Sequence, residues 1–536
     1  MAIPRLLRFL LQDPDFPRSR VASMIAVSGL AGGGLLVAIN LSAEQIAMGQ
    51  RDPRQFVTAL ILLVVAVYAQ HDLLRQMGAA VEEILLKLRL RIGDRLRHAD
   101  LRFVESGAAA EAAVLARDTQ LVSQSALSMA LLGRSVLVVI ASLIYLGWVS
   151  LLALLVTKAF LGTYSFLYWR YIHPNLDRGL RESQVGERRL LWRLRDLVDG
   201  FKTIKLSQRI NRAVFEGFTQ AAVTVAARKR SANIEIVNSF TIGYATFYLL
   251  LIALAIVIPT LDRGLSGQVF KIVATVIFIL SEMDPWLTWI PEIQRANAAL
   301  DDLSRLEESL LAASGDDVRG RSAPPPVEFA GLRLDGVAFR YPEHAGRVGF
   351  QLGPLDLTVA PGELLFITGG TGSGKTTLLK LLAGLYPAQA GVLRLGRDPV
   401  EPGDPTYREL FGAVFQDFHL FQAPPGADPA AAAYWLDAVG LSGTLGFVGG
   451  KFSPAALSAG QGRRLAFVAA MLEDKPVYLL DGFAADQDPS FREKFYREIL
   501  SELRRRGKTV VAATHDDLYF EVADHVLRLT DNGRPA

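Results

Sequence analysis

From Val21 to Leu41 the chain reads VASMIAVSGLAGGGLLVAINL, without one charged residue. A run of this length and composition spans the hydrocarbon of a bilayer as a helix, one of the few structures that satisfies every backbone hydrogen bond there. It is too long for the apolar core of a secretory leader, and further runs follow. Phe56 to Gln70 is a second, short by itself but continued by an amphipathic helix. Ser135 to Trp169 is too long for one helix; with the segment from Ala126 it fits two spans that turn near Gly147 to Ser150. Phe240 to Pro259 and Val269 to Leu287 complete six, of which the fourth is the least clean because it carries Lys158. The excess of apolar residues, 51% of the chain, is concentrated before about residue 300.

Basic residues set the orientation, because loops that stay in the cytoplasm are rich in Lys and Arg. Arg75 to Arg102 holds Lys87, Arg89, Arg91, Arg95 and Arg97. Arg170 to Arg230 holds Arg181, Arg188, Arg189, Arg193, Arg195, Lys202 and Lys205. Both are expected inside with the N-terminus, and the short connections near Arg51 to Arg54, Gly147 to Ser150 and Leu261 to Gly267 outside. The two internal connections have helical spacing, so spans two to five are expected to extend past the bilayer. Leu197 to Ser207, LVDGFKTIKLS, is the candidate for a short transverse helix at one far tip, and the region near Ser106 to Leu115 a weaker candidate at the other. Ala312 to Pro326 is polar and ends in three prolines, which marks a linker.

A formal charge of +3 gives no support to nucleic-acid binding. With no cysteine there is neither a disulfide nor a thiolate metal site. Seven histidines without an H-x₃-H or HExxH cluster argue against a zinc enzyme.

The chemistry lies after the linker. The apolar run Leu364 to Ile367 has the character of a buried parallel strand and enters GGTGSGKT, a P-loop. Backbone N–H groups of such a loop cradle phosphates, Lys375 reaches the β- and γ-phosphates, and Thr376 offers an oxygen to Mg²⁺. The expected cradle is Gly369, Gly370, Thr371, Gly372, Ser373, Gly374, Lys375, Thr376 and Thr377. Val477 to Leu480 is a second such strand and ends in Asp481, an acid placed to suit Mg²⁺. Thr509 to Thr514 is a third and ends in His515. Between the P-loop and Asp481 stands LSAGQ, whose Ser458, Ala459, Gly460 and Gln461 open a helix and can aim N–H dipoles at an anion.

In this order and spacing the elements resemble ABC-type ATPases, and the whole chain resembles an ABC exporter half-transporter. The resemblance implies an α-helical six-span ABC exporter transmembrane domain (1–311) and a linker (312–326), fused to an α/β P-loop ABC nucleotide-binding domain (327–536). It implies ATP and Mg²⁺ as cofactors, with Thr376, Gln416 and Asp481 as metal ligands. Gln416 matches the Q-loop glutamine, Tyr341 the aromatic residue that stacks on adenine, Asp486 the D-loop aspartate and His515 the switch histidine. LSAGQ is then the signature that caps the γ-phosphate held by the opposite protomer, so a second half-transporter is the expected partner, in a lipid bilayer.

A narrower resemblance, to bacterial cyclic-peptide exporters of siderophore-peptide and lipopeptide type, rests on LVDGFKTIKLS, AVFQDFHLF, FSPAALSAGQGRRLAF, AADQDP and ATHDDLYF. It implies ATP-driven export of a peptide substrate from cytoplasm to periplasm, across the inner membrane of a bacterium, by alternating access. The competing readings are an ATP-binding regulatory half of a heterodimer and a lipid or multidrug exporter of the same architecture. Two positions depart from the pattern: Ala459 replaces a glycine, a mild change, and Gly482 replaces the glutamate that polarises the attacking water. Glycine has no side chain to orient water, so slow hydrolysis is expected. For the substrate, Glu282 and Asp284 either attract a cationic peptide, sit at the cytosolic interface, or pair with Arg134 or Lys158. Trp286, Trp289 and Tyr244 either stack on a ligand or anchor the interface.

Overall fold

The computed structural model describes residues 5–47, 49, 53–105, 115–257, 260, 268–283, 285–313, 328–341, 349–401, 403–453, 456–531 and 533–535. They form two compact units, Met1–Arg91 with Ala113–Leu306 and Ile92–Ala112 with Glu307–Ala536.

In its described residues the first unit is helical. A short amphipathic helix, α1 (Arg5–Gln12), buries Leu6 and Leu10. It is followed by α2 (Arg18–Ala47), α3 (Pro53–Arg97), α4 (Leu115–Val149), α5 (Leu151–Leu167), α6 (His173–Asp199), α7 (Phe201–Leu206), α8 (Gln208–Ile252), α9 (Val269–Met283) and α10 (Trp286–Ala313). Among the described residues, five helical stretches are long and apolar enough to cross a membrane: Arg18–Ile46, Pro53–Arg97, Thr119–Val149, Leu151–Arg170 and Gln208–Ile256. The turn expected near Gly147 to Ser150 falls at Ser150, whose hydroxyl accepts from the Ala153 N–H at 3.2 Å and starts α5. The sixth expected span appears as α9, which ends at Met283 after 15 residues. Pro285, which cannot continue the ladder, follows two positions on. Asp284 and the expected outer connection Leu261 to Gly267 lie outside the described residues.

Close packing of α2 on α4 follows from the small residues in GLAGGG: a Cβ at Gly33 would sit 2.5 Å from the Ala141 Cβ. Leu146, Ala153, Leu250, Leu254, Ile272 and Val276 join α4, α5, α8 and α9 in one buried cluster. Glu282 is held by Arg134 at 3.3 Å, the ion-pair alternative of the sequence. The same arginine donates to the Ser28 hydroxyl at 3.2 Å. Trp286 is held as well: its indole N–H donates to the Ser135 hydroxyl at 2.8 Å. At the far end of the long α6–α8 pair, α7 stands as a separate short helix between Gly200 and Ser207. Phe201 and Leu206 on it are exposed, Leu206 at 89%. The weaker tip candidate falls on residues 106–114, outside the described residues.

The second unit is α/β. β3 (Leu364–Gly369), β6 (Phe411–Val414), β9 (Val477–Asp481), β10 (Thr509–Ala513) and β11 (His525–Leu529) make a parallel sheet in the order β11-β3-β10-β9-β6. β1 (Leu332–Arg340), β2 (Gln351–Val359), β4 (Ala390–Leu395) and β5 (Asp398–Pro399) make an antiparallel sheet in the order β2-β1-β4-β5. A hairpin of β7 (Phe447–Val448) and β8 (Lys451–Phe452) precedes the signature. Strand alternation divides the parallel sheet between two cores: Tyr478 and Leu480 face one, Val477 and Leu479 the other. In the first, Phe467 is fully buried, with its ring 5.1 Å from Phe483 and 5.9 Å from Trp435. Phe467→Ala is expected to cost about 3–5 kcal/mol by leaving a cavity there. A lowered melting temperature of the full chain in nanodiscs would register it.

Candidate ATP site

Parallel pairing sets the C-terminal ends of three strands side by side. Ala513 of β10 is level with Ile367 of β3 on one side and Asp481 of β9 on the other. The P-loop leaves β3 and enters α11 (Lys375–Leu382), which puts Thr376 against Asp481: its hydroxyl donates to Oδ2 at 2.8 Å. Asp481 is only 1% exposed, and its Oδ1 has no hydrogen-bond partner among the described residues. The buried Ser373 hydroxyl in the P-loop is likewise unpartnered among the described residues. Lys375 folds back, its ammonium donating to the carbonyls of Gly370 at 2.9 Å and Gly369 at 3.0 Å.

Burial pushes the Asp481 carboxyl up, and the Thr376 hydrogen bond and the nearby Lys375 charge oppose it. Burial likewise pushes the Lys375 ammonium down, against the pull of Asp481. A desolvated acid with a free oxygen and a desolvated cation resting on carbonyls are groups that gain when a divalent cation and a phosphate arrive. The residues at the site therefore fit ATP with a metal ion.

Gly482, directly after Asp481, has φ +60°, in the left-handed region. Its N–H donates to the Ala513 carbonyl at 3.0 Å, which ties the turn to β10. A Cβ there would meet Nε2 of Gln416 at 3.0 Å, so the Gln416 side chain lies over the place where a residue-482 side chain would start. Thr376, Gln416, Asp481 and Gly482 thus converge. His515, one residue past Thr514 after β10, is exposed.

The signature opens α13 (Ala459–Met471; α12 is Pro429–Ala438) as a reciprocal capping box. The Ser458 hydroxyl accepts from the Gln461 N–H at 3.2 Å, and Oε1 of Gln461 accepts from the Ser458 N–H at 3.0 Å. Gly460 is packed against the following loop, where a Cβ would lie 3.3 Å from the Asp486 carbonyl. Asp486 has a 62% exposed side chain, whereas Asp488 caps α14 (Pro489–Lys494) by accepting from the Phe491 N–H at 2.9 Å. Hydrogen bonds from Ser490 and the Phe491 N–H, and the Arg464 charge, hold the Asp488 carboxyl well below its usual range.

Tyr341 is packed edge-on to Phe339 at 5.1 Å and to Tyr386 at 6.0 Å. Its hydroxyl lies 3.2 Å from that of Thr377 and donates to the Tyr386 hydroxyl at 3.4 Å. Tyr386 in turn donates to Glu105, which pairs with Lys380 of α11 at 2.6 Å. Sequence inspection misses Glu105 and Tyr386, because they meet across 281 positions and neither belongs to a motif.

The ABC transporter family model matches residues 352–485. The ATP-binding protein SyrD of Pseudomonas syringae pv. syringae is 33% identical over 73% of this chain and 71% of its own length. An ATP-dependent lipid A-core flippase of Cupriavidus metallidurans is 27% identical over 90% of this chain and 83% of its own. A bacterial Atm1-family ABC exporter, solved with ATP bound, superposes with a TM-score of 0.73 over 98% of this chain and 95% of its own, at 18% identity. A helical membrane unit and an ATP-binding P-loop unit on one chain, matched along their length by these proteins, place the protein in the ABC transporter family as an exporter half-transporter.

Proposed function

We propose that the chain exports a cyclic or non-ribosomal peptide, siderophore- or lipopeptide-like, from cytoplasm to periplasm across the bacterial inner membrane. It works as a dimer, with six spans and with its N-terminus and ATPase cytoplasmic. ATP is held by the P-loop of one protomer, residues 369–377, and capped by Ser458 to Gln461 of the other, with Tyr341 beside the base and Asp486 at the dimer seam. Thr376, Gln416 and Asp481 would hold Mg²⁺, which supplies charge neutralisation at the phosphates. The observation that carries the ATP chemistry is the buried, half-unpartnered Asp481 bonded to Thr376 beside Lys375. The short helix α7, which buries Ile204 and exposes Phe201 and Leu206, supports a role as coupling helix. Closure on ATP follows from tighter binding to the closed state, so each step can proceed although Gly482 slows the reset.

The peptide motifs favour the peptide substrate. The length of the match to a protein named as a lipid A-core flippase favours a lipid as the second reading. Gly482 favours a third, a regulatory half completed by a partner carrying the glutamate. Turnover of the chain in nanodiscs, titrated with a cyclic lipopeptide and with lipid A-core, decides between substrates. Stimulation by the peptide alone is expected; stimulation by the lipid alone would transfer the assignment to the second reading.

A further inference from the structure

We propose that Arg463 is the positioning residue through which each ATP site senses occupation of the other. This rests on the dimeric, signature-capped ATP site proposed above. Arg463 stands one turn into α13, just behind the signature, and is only 9% exposed. Its guanidinium fork holds two separate loops at once, the one after β6 and the one after β9. Nη1 donates to the Gly482 carbonyl at 3.1 Å and pairs with the Asp486 carboxylate at 2.7 Å. Nη2 donates to the Gln416 carbonyl at 3.5 Å, and the guanidinium carbon lies 5.9 Å from the centre of the Phe418 ring.

Two of these partners belong to the protomer's own catalytic edge. The Gln416 side chain lies against Gly482, and Gly482 follows Asp481 directly. The helix that carries Arg463 has its N-terminus aimed, in the dimer, at the nucleotide of the partner. A buried guanidinium must keep its acceptors, and its donors are fixed in one plane, so α13 cannot shift without pulling on both loops. Movement of the signature onto the partner's nucleotide is thereby passed to Gln416 and Gly482. The neighbouring Arg464 serves a different purpose. It pairs with Asp488 at 2.5 Å and lies 3.7 Å over the Phe491 ring, which fastens the helix to α14. Glycine at 482 makes the linkage matter more, since backbone placement and Gln416 are what remain there.

The test is equilibrium binding of a fluorescent ATP analogue with Mg²⁺ to the full chain in nanodiscs, with melting temperature recorded alongside. Wild type is expected to bind sigmoidally. Arg463→Gln should bind hyperbolically, losing a coupling of about fivefold or more between the two sites. Arg463→Lys keeps the charge and folds but reaches fewer acceptors, so it should fall between. Lowered melting temperatures with sigmoidal binding intact in both variants would overturn the proposal and leave Arg463 a packing residue. Hyperbolic binding by wild type would remove the shared ATP site itself, and this inference with it.

Discussion

Lys375→Ala should leave a folded chain that no longer responds to ATP. Lys375 is a desolvated cation whose present partners are two neutral carbonyls, at 2.9 and 3.0 Å. Exchanging them for a phosphate turns weak contacts into charge-assisted ones, each worth about 1.5–3 kcal/mol. Affinity for ATP is therefore expected to fall roughly 10- to 100-fold, since each 1.4 kcal/mol is tenfold. The fold should survive, because truncation removes a cation that burial already disfavours. Isothermal titration with ATP and a melting curve of the same sample check both halves.

Gly482→Glu should raise ATP turnover by about tenfold or more, because it restores a side chain able to orient water and take its proton. The structure adds a cost. The left-handed φ of +60° is disfavoured for any residue with a Cβ, by about 1–2 kcal/mol. The Cβ also presses on Gln416, but only on Nε2, the far end of a flexible, exposed side chain that can swing aside. Melting temperature should therefore fall while turnover rises. Gly482→Ala is the control, carrying the same strain without the carboxylate. A loss of stability without gain in turnover is expected from it. Equal turnover in the two variants would show that another group, such as His515, positions the water.

What could be read from the sequence was local. Span length is a run of apolar residues, and the P-loop and signature are short patterns whose glycine and hydroxyl positions state their own function. The break at Ser150 follows from a cap that a serine provides. The sixth apolar run contains Pro285, which lacks the N–H that would continue the ladder, and α9 is described as far as Met283. Asp486 and Asp488 are two residues apart, and only the cap on α14 separates their roles, although Asp488 before proline already carries that signal. The tie from Glu105 to Tyr386 and Lys380, the seat of Gln416 over Gly482 and the grip of Arg463 on two loops depend on tertiary placement, which no local pattern encodes.

ATP-driven accumulation of a labelled cyclic lipopeptide in inverted membrane vesicles tests the central claim most directly. Slow uptake is expected with the native chain, faster uptake with Gly482→Glu, and none with Lys375→Ala. Uptake equal in the Lys375→Ala vesicles, or no peptide uptake even with Gly482→Glu, would contradict an ATP-powered peptide exporter.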